Sequence, residues 1–205
     1  MNINSMNIKP LCVLSLAEKA GILGHILIYR SWGQKTKDLI LSYVEERMKP
    51  GDVLELDFEG VSYCDSVFLD EIVLGVQLVI LKKQDNIMYL SNINSSIEES
   101  LRHVISWRKD AKVQKITVLF YQGGRFNYMG HLEPMASRVF EIVSIKGKIT
   151  ARELSDMLGT AIYNASALLK KLYDNRLVMR REFSDSTGLS HQYILPRKRI
   201  KQTEA

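Results

Sequence analysis

The stretch ITARELSDMLGTAIYNASALLKKLYDN, residues 149–175, holds two helical patterns separated by one glycine, and it decides how the last third of the chain folds. Thr150 followed by Glu153 has the form of a capping box, which begins the first helix. That helix is expected to end at Gly159, because glycine commonly follows the last helical residue. A second helix is predicted from Thr160 to Asn175. Its apolar stripe has the spacing i, i+3, i+4, i+7 and consists of Ala165, Leu168, Leu169 and Leu172.

The segments on either side extend this pattern. Residues 135–145 predict a preceding helix, with Pro134 suited to its first turn. Two strand-like runs follow at residues 177–183 and 191–195, and the polar residues 184–190 join them as a turn. The expected order is therefore three helices and then a β-hairpin, with a short turn between the second and third helices.

This order resembles the winged helix-turn-helix domains of the multiple-antibiotic-resistance and arsenic-repressor regulators, over about 65 residues. The resemblance implies that the third helix lies in the major groove of duplex DNA and that basic residues of the hairpin and tail contact phosphate. The candidate DNA-binding residues are Thr160, Tyr163, Asn164, Lys170, Lys171, Arg180, Arg181, Arg197, Lys198 and Arg199. The alternative is a winged helix used only for protein contacts.

The distribution of charge favours a polyanionic partner for the same segment. Residues 131–205 contain 13 Lys and Arg against 8 Asp and Glu, a net charge of +5. The first 130 residues contain 15 of each and are neutral. A basic segment attached to a neutral one points toward nucleic acid, although a solvated basic surface would show the same bias.

The first 132 residues alternate between strand and helix patterns, which predicts an α/β sheet with helices packed on it. We place the boundary at Leu132–Pro134, giving an α/β domain over residues 1–132 and the winged domain over 133–205. The predicted elements are strand-like runs at 11–16 and 25–29, a helix at 34–48, a strand at 53–58, a buried helix at 67–81, a strand at 87–90, a helix from a capping box at Ser95 and Glu98 to about 109, and a hairpin of strands at 115–121 and 126–129.

The segment GDVLELDFEGV at 51–61, followed by CDSVFLDE at 64–71, carries a second resemblance. A strand ending in Asp-Phe-x-Gly-Val, a loop with serine and a helix opening with Phe-x-Asp-Glu resemble the STAS-like family over about residues 25–132. That family is related to sulfate-transporter and anti-sigma-factor-antagonist domains. In the antagonists a serine directly after an aspartate is phosphorylated by a partner ATPase of the histidine-kinase type, and Asp65-Ser66 matches that position.

The resemblance leaves alternatives open at this loop. Ser66 is either a phosphorylation site or a plain helix N-cap. This chain has Val-Phe-Leu-Asp-Glu after the serine, where the antagonists have Ser-Gly-Leu. Asp70 and Glu71 are expected to be surface charges or partner contacts. As neighbours on a helix they should point in different directions, so we do not interpret them as a catalytic dyad.

The motifs of catalysis do not appear in the sequence. Its four histidines and two cysteines lack metal-ligand spacing, Gly123-Gly124 lacks the Lys-Ser/Thr of a phosphate-binding loop, and a nucleophilic Ser66 has no obvious base. The apolar runs are shorter than the 20 or so residues that a membrane span requires. We therefore expect a cytoplasmic, non-enzymatic protein without a cofactor or metal.

Two hypotheses follow. In the first, the chain is a bacterial-type transcriptional regulator that forms a homodimer. The third helix of the winged domain in each protomer then binds one half of a roughly palindromic operator. In the second, it is a partner-switch adaptor that docks on a histidine-kinase-like ATPase through the Ser66 loop.

Overall fold

A five-stranded sheet forms the centre of the first part of the chain, and the apolar runs of the sequence supply its strands. The computed structural model describes residues 6–83, 85–107, 116–185 and 188–196, without the side chains of 183–189. The strands are β1 (Ile8–Cys12), β2 (Ile26–Leu27), β3 (Val53–Asp57), β4 (Tyr63–Cys64), β5 (Ile87–Ser91), β6 (Thr117–Gln122), β7 (Arg125–Gly130), β8 (Lys148–Thr150), β9 (Met179–Asp185) and β10 (Gly188–Ile194).

The main sheet has the order β1-β3-β5-β6-β7, in which the first three pairings are parallel and the last is an antiparallel hairpin. Parallel neighbours need a crossover connection, and helices supply it here. Strands β2 and β4 form a separate parallel pair. The prediction of a mixed α/β fold is confirmed at this level, with a sheet that is mostly parallel.

Both faces of the main sheet are buried. Val53 and Leu54 are neighbours on β3 and therefore point to opposite faces, and neither is exposed to solvent. The same holds for Ile87 and Met88 on β5. Strands that are covered on both sides are mostly apolar, which explains the apolar runs of the sequence, although β3 also contains the buried Glu55.

The helices of the first part cover one face. They are α1 (Val13–Lys19), α2 (Arg30–Arg47), α3 (Ser66–Leu69), α4 (Val76–Lys82) and α5 (Ser95–Trp107), with a π-helical stretch at Asp70–Gly75 between α3 and α4. Their apolar side chains join those of the sheet in one hydrophobic cluster that includes Leu54, Leu56 and Leu90.

The C-terminal segment covers the other face. Its helices are α6 (Pro134–Lys146), α7 (Ala151–Leu158) and α8 (Ile162–Asp174), and its strands pair antiparallel in the order β8-β10-β9. A second hydrophobic cluster combines Val53, Tyr89 and Leu119 of the main sheet with Phe140 of α6 and Leu169 of α8. The two predicted parts of the chain therefore share one of their two cores.

Some predicted elements of the first part were wrong. Residues 11–16 were expected to be a strand, but the strand ends at Cys12 and α1 begins at Val13. A short apolar run fits a buried helix as well as a strand, and the sequence alone cannot separate them. The cap of α5 is Asn94, whose Oδ1 accepts from the Ile97 backbone N at 2.9 Å, and not Ser95. The expected helix end at Lys109 and strand start at Lys115 lie outside the described residues.

In the C-terminal segment the three helices and the hairpin are present, with shifted bounds. Helix α8 begins at Ile162, so Thr160 lies in the preceding turn and not on the helix. Strands β9 and β10 reach Asp185 and Gly188, so most of the expected 184–190 turn is strand. Pro134 occupies the first turn of α6, as predicted.

Candidate nucleic-acid interface and the Ser66 loop

The turn between α7 and α8 is held by local hydrogen bonds that the sequence encodes. At the start of α7 the Thr150 Oγ1 accepts from the Glu153 backbone N at 3.2 Å, and the Thr150 backbone N donates to Glu153 Oε2 at 2.7 Å. This confirms the predicted capping box. At the other end Gly159 has φ +61°, a conformation that favours glycine. The Ser155 hydroxyl then donates to the Thr160 carbonyl at 2.6 Å and fixes the turn.

The first half of α8 is open to solvent on its outer side. Ala165, Leu169 and Leu172 are completely buried, whereas Tyr163 is 82% exposed. Asn164 is also exposed, and its Nδ2 donates to Thr160 Oγ1 at 3.3 Å. The structure therefore brings Thr160, Tyr163 and Asn164 together at one exposed end of the helix, although Thr160 belongs to the turn.

The two lysines of the second half are engaged with carboxylates. Lys170 Nζ lies 2.6 Å from Asp174 Oδ2, and Lys171 Nζ lies 2.5 Å from Glu133 Oε2. Lys171 is half-buried rather than on the outward face where it was predicted. Paired lysines are weaker phosphate contacts than free ones, since the existing partner must be given up.

The end of α8 is anchored to the first part of the chain. The Tyr173 hydroxyl donates to Asp85, and burial followed by this carboxylate raises the pKa of Tyr173. Arg176 Nη2 donates to the carbonyls of Leu81 at 3.2 Å and Lys83 at 2.7 Å. These contacts hold the end of α8 against the end of α4 and the residues that follow it.

The predicted cations of the hairpin have different surroundings. The Arg180 guanidinium lies 4.7 Å from the centre of the Tyr173 ring, and its residue is exposed. Arg181 is half-buried. The basic run of Arg197, Lys198 and Arg199 lies outside the described residues.

A groove beside the turn was missed by the sequence reasoning. It has a volume of about 580 Å³ and runs between the start of α6 and the α7–α8 turn, where Met135 and Arg138 face Thr160 and Asn164. Arg138 is exposed. Its exposure could have been predicted from the helical pattern of α6, since it precedes the buried Val139 and Phe140. The signal was present in the helix pattern, but the sequence analysis considered cations only on the third helix, the hairpin and the tail. Arg152, exposed in the first turn of α7, was overlooked for the same reason.

The structure of the Ser66 loop does not agree with the interpretation of Ser66 as a plain helix N-cap. Asp65 is the N-cap of α3: its Oδ1 accepts from the Phe68 backbone N at 2.7 Å, and its Oδ2 accepts from the Tyr29 backbone N at 3.1 Å. Ser66 is the first residue of α3 and is partly exposed. The interpretation of Ser66 as the cap was therefore wrong, and its hydroxyl is not needed for that role.

Asp70 and Glu71 were expected to be surface charges that point apart, and the structure corrects both points. Glu71 is buried, and Arg30 Nη1 contacts Asp70 Oδ2 at 3.2 Å and Glu71 Oε1 at 2.6 Å. Lys37 Nζ lies 2.5 Å from Glu71 Oε2. The π-helical stretch places both carboxylates around one guanidinium, which an α-helical projection of the sequence could not show.

Gly33 on α2 allows this arrangement. A Cβ there would lie 3.0 Å from the Glu71 Cβ and 3.1 Å from the Phe68 carbonyl. Burial by itself would raise the pKa of Glu71, but hydrogen bonds from Lys37 and then Arg30 outweigh it and hold that pKa below its usual value. The cluster joins α2 to the helix that follows Ser66.

An exposed apolar surface lies near the same loop. Ile26 of β2 and Tyr63 of β4 are paired in register and exposed, and Leu23 and Tyr29, which precede and follow β2 in the sequence, are also exposed. We call these four residues the β2–β4 apolar surface. Contiguous exposed apolar side chains on a soluble protein are typical of contact surfaces.

Neither a metal-binding cluster nor a membrane-spanning helix is present among the described residues. Within the part of the chain that the structure describes, His, Cys, Asp and Glu side chains nowhere gather in a group of three that could hold a metal ion. In that same part, each helix is too short or too polar to cross a membrane. No model of a known protein family matches the chain, and a search of curated proteins finds no match.

Proposed function

We propose that the chain is a DNA-binding transcriptional regulator, in which the C-terminal segment is a winged helix domain and the STAS-like first part mediates dimerisation or senses a partner. The observation that carries the proposal is the open first half of α8. Leu169 and Leu172 are buried, while Tyr163 and Asn164 on the same helix are exposed and are not covered by the first 130 residues. A helix with this exposure at its N-terminal end can enter a major groove without rearrangement.

The chemistry of the exposed end suits bases. An asparagine amide donates to adenine N7 and accepts from adenine N6, which gives a bidentate contact. The hydrogen bond to Thr160 Oγ1 restricts the rotation of the Asn164 amide before DNA arrives. Tyr163 can donate its hydroxyl to a base edge or a phosphate.

The structure changes which cations are proposed for phosphate. Arg138 is exposed beside the α7–α8 turn and Arg152 is exposed in the first turn of α7, whereas Lys170 and Lys171 are paired with carboxylates. We therefore assign the main phosphate contacts to Arg138, Arg152 and Arg180.

Sensing by the first part is supported by the anchoring of α8. The hydrogen bonds from Arg176 to the loop after α4 connect α8 to the helix pair that begins at Ser66. A partner that shifts α4 would reposition the recognition helix, which is a two-site arrangement of the kind that regulators need.

Adaptor function is a second candidate, and a different observation favours it. Ser66 is partly exposed and free of the capping role, and the β2–β4 apolar surface lies near its loop. A histidine-kinase-like ATPase that docked on this surface would reach the hydroxyl. The two functions are compatible, since docking could control DNA binding.

The test of DNA binding begins with selection of duplexes from a random pool by the full chain. Fluorescence anisotropy with the selected duplex should give a Kd that rises about tenfold or more in Asn164→Ala, because a bidentate base contact contributes about 1–3 kcal/mol. Gln34→Ala, which removes an exposed amide on α2, should leave the Kd unchanged. Weak binding that is equal for all duplexes and insensitive to Asn164→Ala would refute sequence-specific recognition.

The adaptor function is tested separately. Incubation with a histidine-kinase-like ATPase and ATP should place a phosphate on Ser66, detected by mass spectrometry and absent in Ser66→Ala. Identical partner affinities for wild type, Ser66→Ala and Ser66→Glu would remove the switch.

A further inference from the structure

A second groove lies at the opposite end of α6 from the proposed DNA interface. It has a volume of about 300 Å³ and runs between the β6–β7 turn, the α6–β8 turn and the end of β10. Arg125 stands on the first wall, Lys146 and Lys148 on the second, and Pro196 on the third. We call it the basic groove. This volume is at the lower end of the range for small-molecule sites.

The described residues that line the basic groove carry positive charges only. Arg125, Lys146 and Lys148 are all exposed, and the residues that line the groove include no aspartate or glutamate. Among the residues with described positions, none of these three cations forms an ion pair. Lys170 and Lys171 on the same segment are each paired. Three like charges around one small cavity repel each other, and a bound anion would relieve that repulsion.

The walls that carry these charges are fixed in place. Gly147 has φ +73° and its carbonyl accepts from the Leu195 backbone N at 3.0 Å, so the turn that presents Lys146 and Lys148 is tied to the end of β10. The floor is aromatic, because the buried Phe126 packs edge-on against Tyr121 at 5.0 Å. A cationic rim over an aromatic floor suits a ligand that has both a phosphate and an apolar ring.

We infer that the basic groove binds a small phosphate-bearing ligand of the mononucleotide kind. Its phosphate lies between Arg125, which belongs to the sheet, and the lysines that flank Gly147, which belong to the C-terminal segment. The ligand therefore connects the two parts of the chain. The site is separate from the proposed DNA interface: Met135 and Lys146 are eleven residues apart on α6, which corresponds to about 16 Å along the helix.

The experiment is calorimetric titration of the full chain with adenosine 5′-monophosphate, inorganic pyrophosphate and adenosine. We expect one-to-one binding of the monophosphate, measurable binding of pyrophosphate and none of adenosine, with affinity falling as salt rises. Arg125→Gln and Lys148→Gln should each raise the Kd about tenfold, the effect of removing one charge-assisted hydrogen bond. Arg47→Gln on α2 removes the same charge from the other side of the sheet and should change nothing. Thermal melting confirms that the variants are folded.

Three results would overturn the inference. The first is the absence of binding by all phosphate probes at millimolar concentration, and the second is equal binding of adenosine and its monophosphate. The third is weaker binding of duplex DNA by Arg125→Gln and Lys148→Gln while the monophosphate neither binds nor competes, which would assign the groove to the DNA backbone. The test of Asn164→Ala on selected DNA is unaffected by these outcomes, so the two proposals fail separately.

Discussion

The substitution Glu71→Gln tests the ion-pair cluster beneath the Ser66 loop. It keeps the shape of the side chain and removes one buried negative charge that Lys37 and Arg30 share. An amide oxygen can accept from one of these cations, and its NH₂ group then faces the other. Because the side chain of Glu71 is only 10% exposed, water cannot replace what is lost.

The size of the effect follows from the two contacts. A hydrogen bond between charged groups contributes about 1.5–3 kcal/mol, and the Lys37 bond belongs in that range because Lys37 is 23% exposed. The Arg30 side chain is 51% exposed, so its contact is closer to a surface pair at about 0–1 kcal/mol. We expect a loss of about 2–3 kcal/mol in the free energy of unfolding, which lowers Tm by roughly 4–12 °C in a chain of this size.

The assay is urea unfolding followed by circular dichroism at pH 7 and at lower pH. The pKa of Glu71 is lowered in the folded state, so its contribution is complete above the unfolded pKa of about 4.3 and disappears as the pH falls through the folded pKa. The stability difference between wild type and Glu71→Gln should therefore shrink below about pH 4. Glu45→Gln, at an exposed position on α2, should stay within about 0.5 kcal/mol of wild type. A Glu71→Gln variant equally close to wild type at pH 7 would refute the reasoning.

Three further outcomes are expected. Gly130→Ala should destabilise the fold by more than about 2 kcal/mol in urea unfolding, because Gly130 has φ +114° and an added Cβ would lie 2.3 Å from the Ile116 carbonyl oxygen. Thr150→Ala should lower the free energy of unfolding by about 1 kcal/mol, because it removes the cap of α7. It should reduce the free energy of DNA binding by more than it reduces the free energy of unfolding. A fragment of residues 1–132 should bind a hydrophobic dye such as ANS and aggregate, because it exposes the second face of the sheet. The full chain should do neither. A soluble monomeric fragment with cooperative unfolding would contradict the shared core.

The sequence predicted the elements that depend on local patterns. The capping box at Thr150 and the glycine that ends α7 are each encoded within a few residues, and both are present. Three residues of the predicted stripe of α8, Ala165, Leu169 and Leu172, are buried, whereas Leu168 is only partly buried and lines the groove beside the turn. The strand at Val53 was identified from its apolar run in the same way. Local patterns also explain the error at residues 11–16, since an apolar run is equally suited to a helix against the sheet.

Contacts between distant residues could not be predicted in this way. The cluster of Arg30, Lys37, Asp70 and Glu71 requires residues about 40 positions apart and a π-helical stretch that changes the direction of one carboxylate. The pairing of Lys171 with Glu133 is also non-local, and it removed a cation from the predicted interface. The basic groove combines three separate segments, none of which has an unusual pattern by itself.

Helix α8, which packs into the shared core, has two halves with different surroundings. The helix has an exposed first half, which carries Tyr163 and Asn164, and an anchored second half, which carries Tyr173 and leads into Arg176. A helix is stiff over 13 residues, so a displacement of its anchored end moves its exposed end as well. The anchor includes hydrogen bonds from Arg176 to main-chain carbonyls as well as buried apolar contacts, and a hydrogen bond that involves a charged group contributes about 1.5–3 kcal/mol. The architecture thus joins the two parts of the chain through a shared apolar core and through hydrogen bonds at the end of the proposed reading helix.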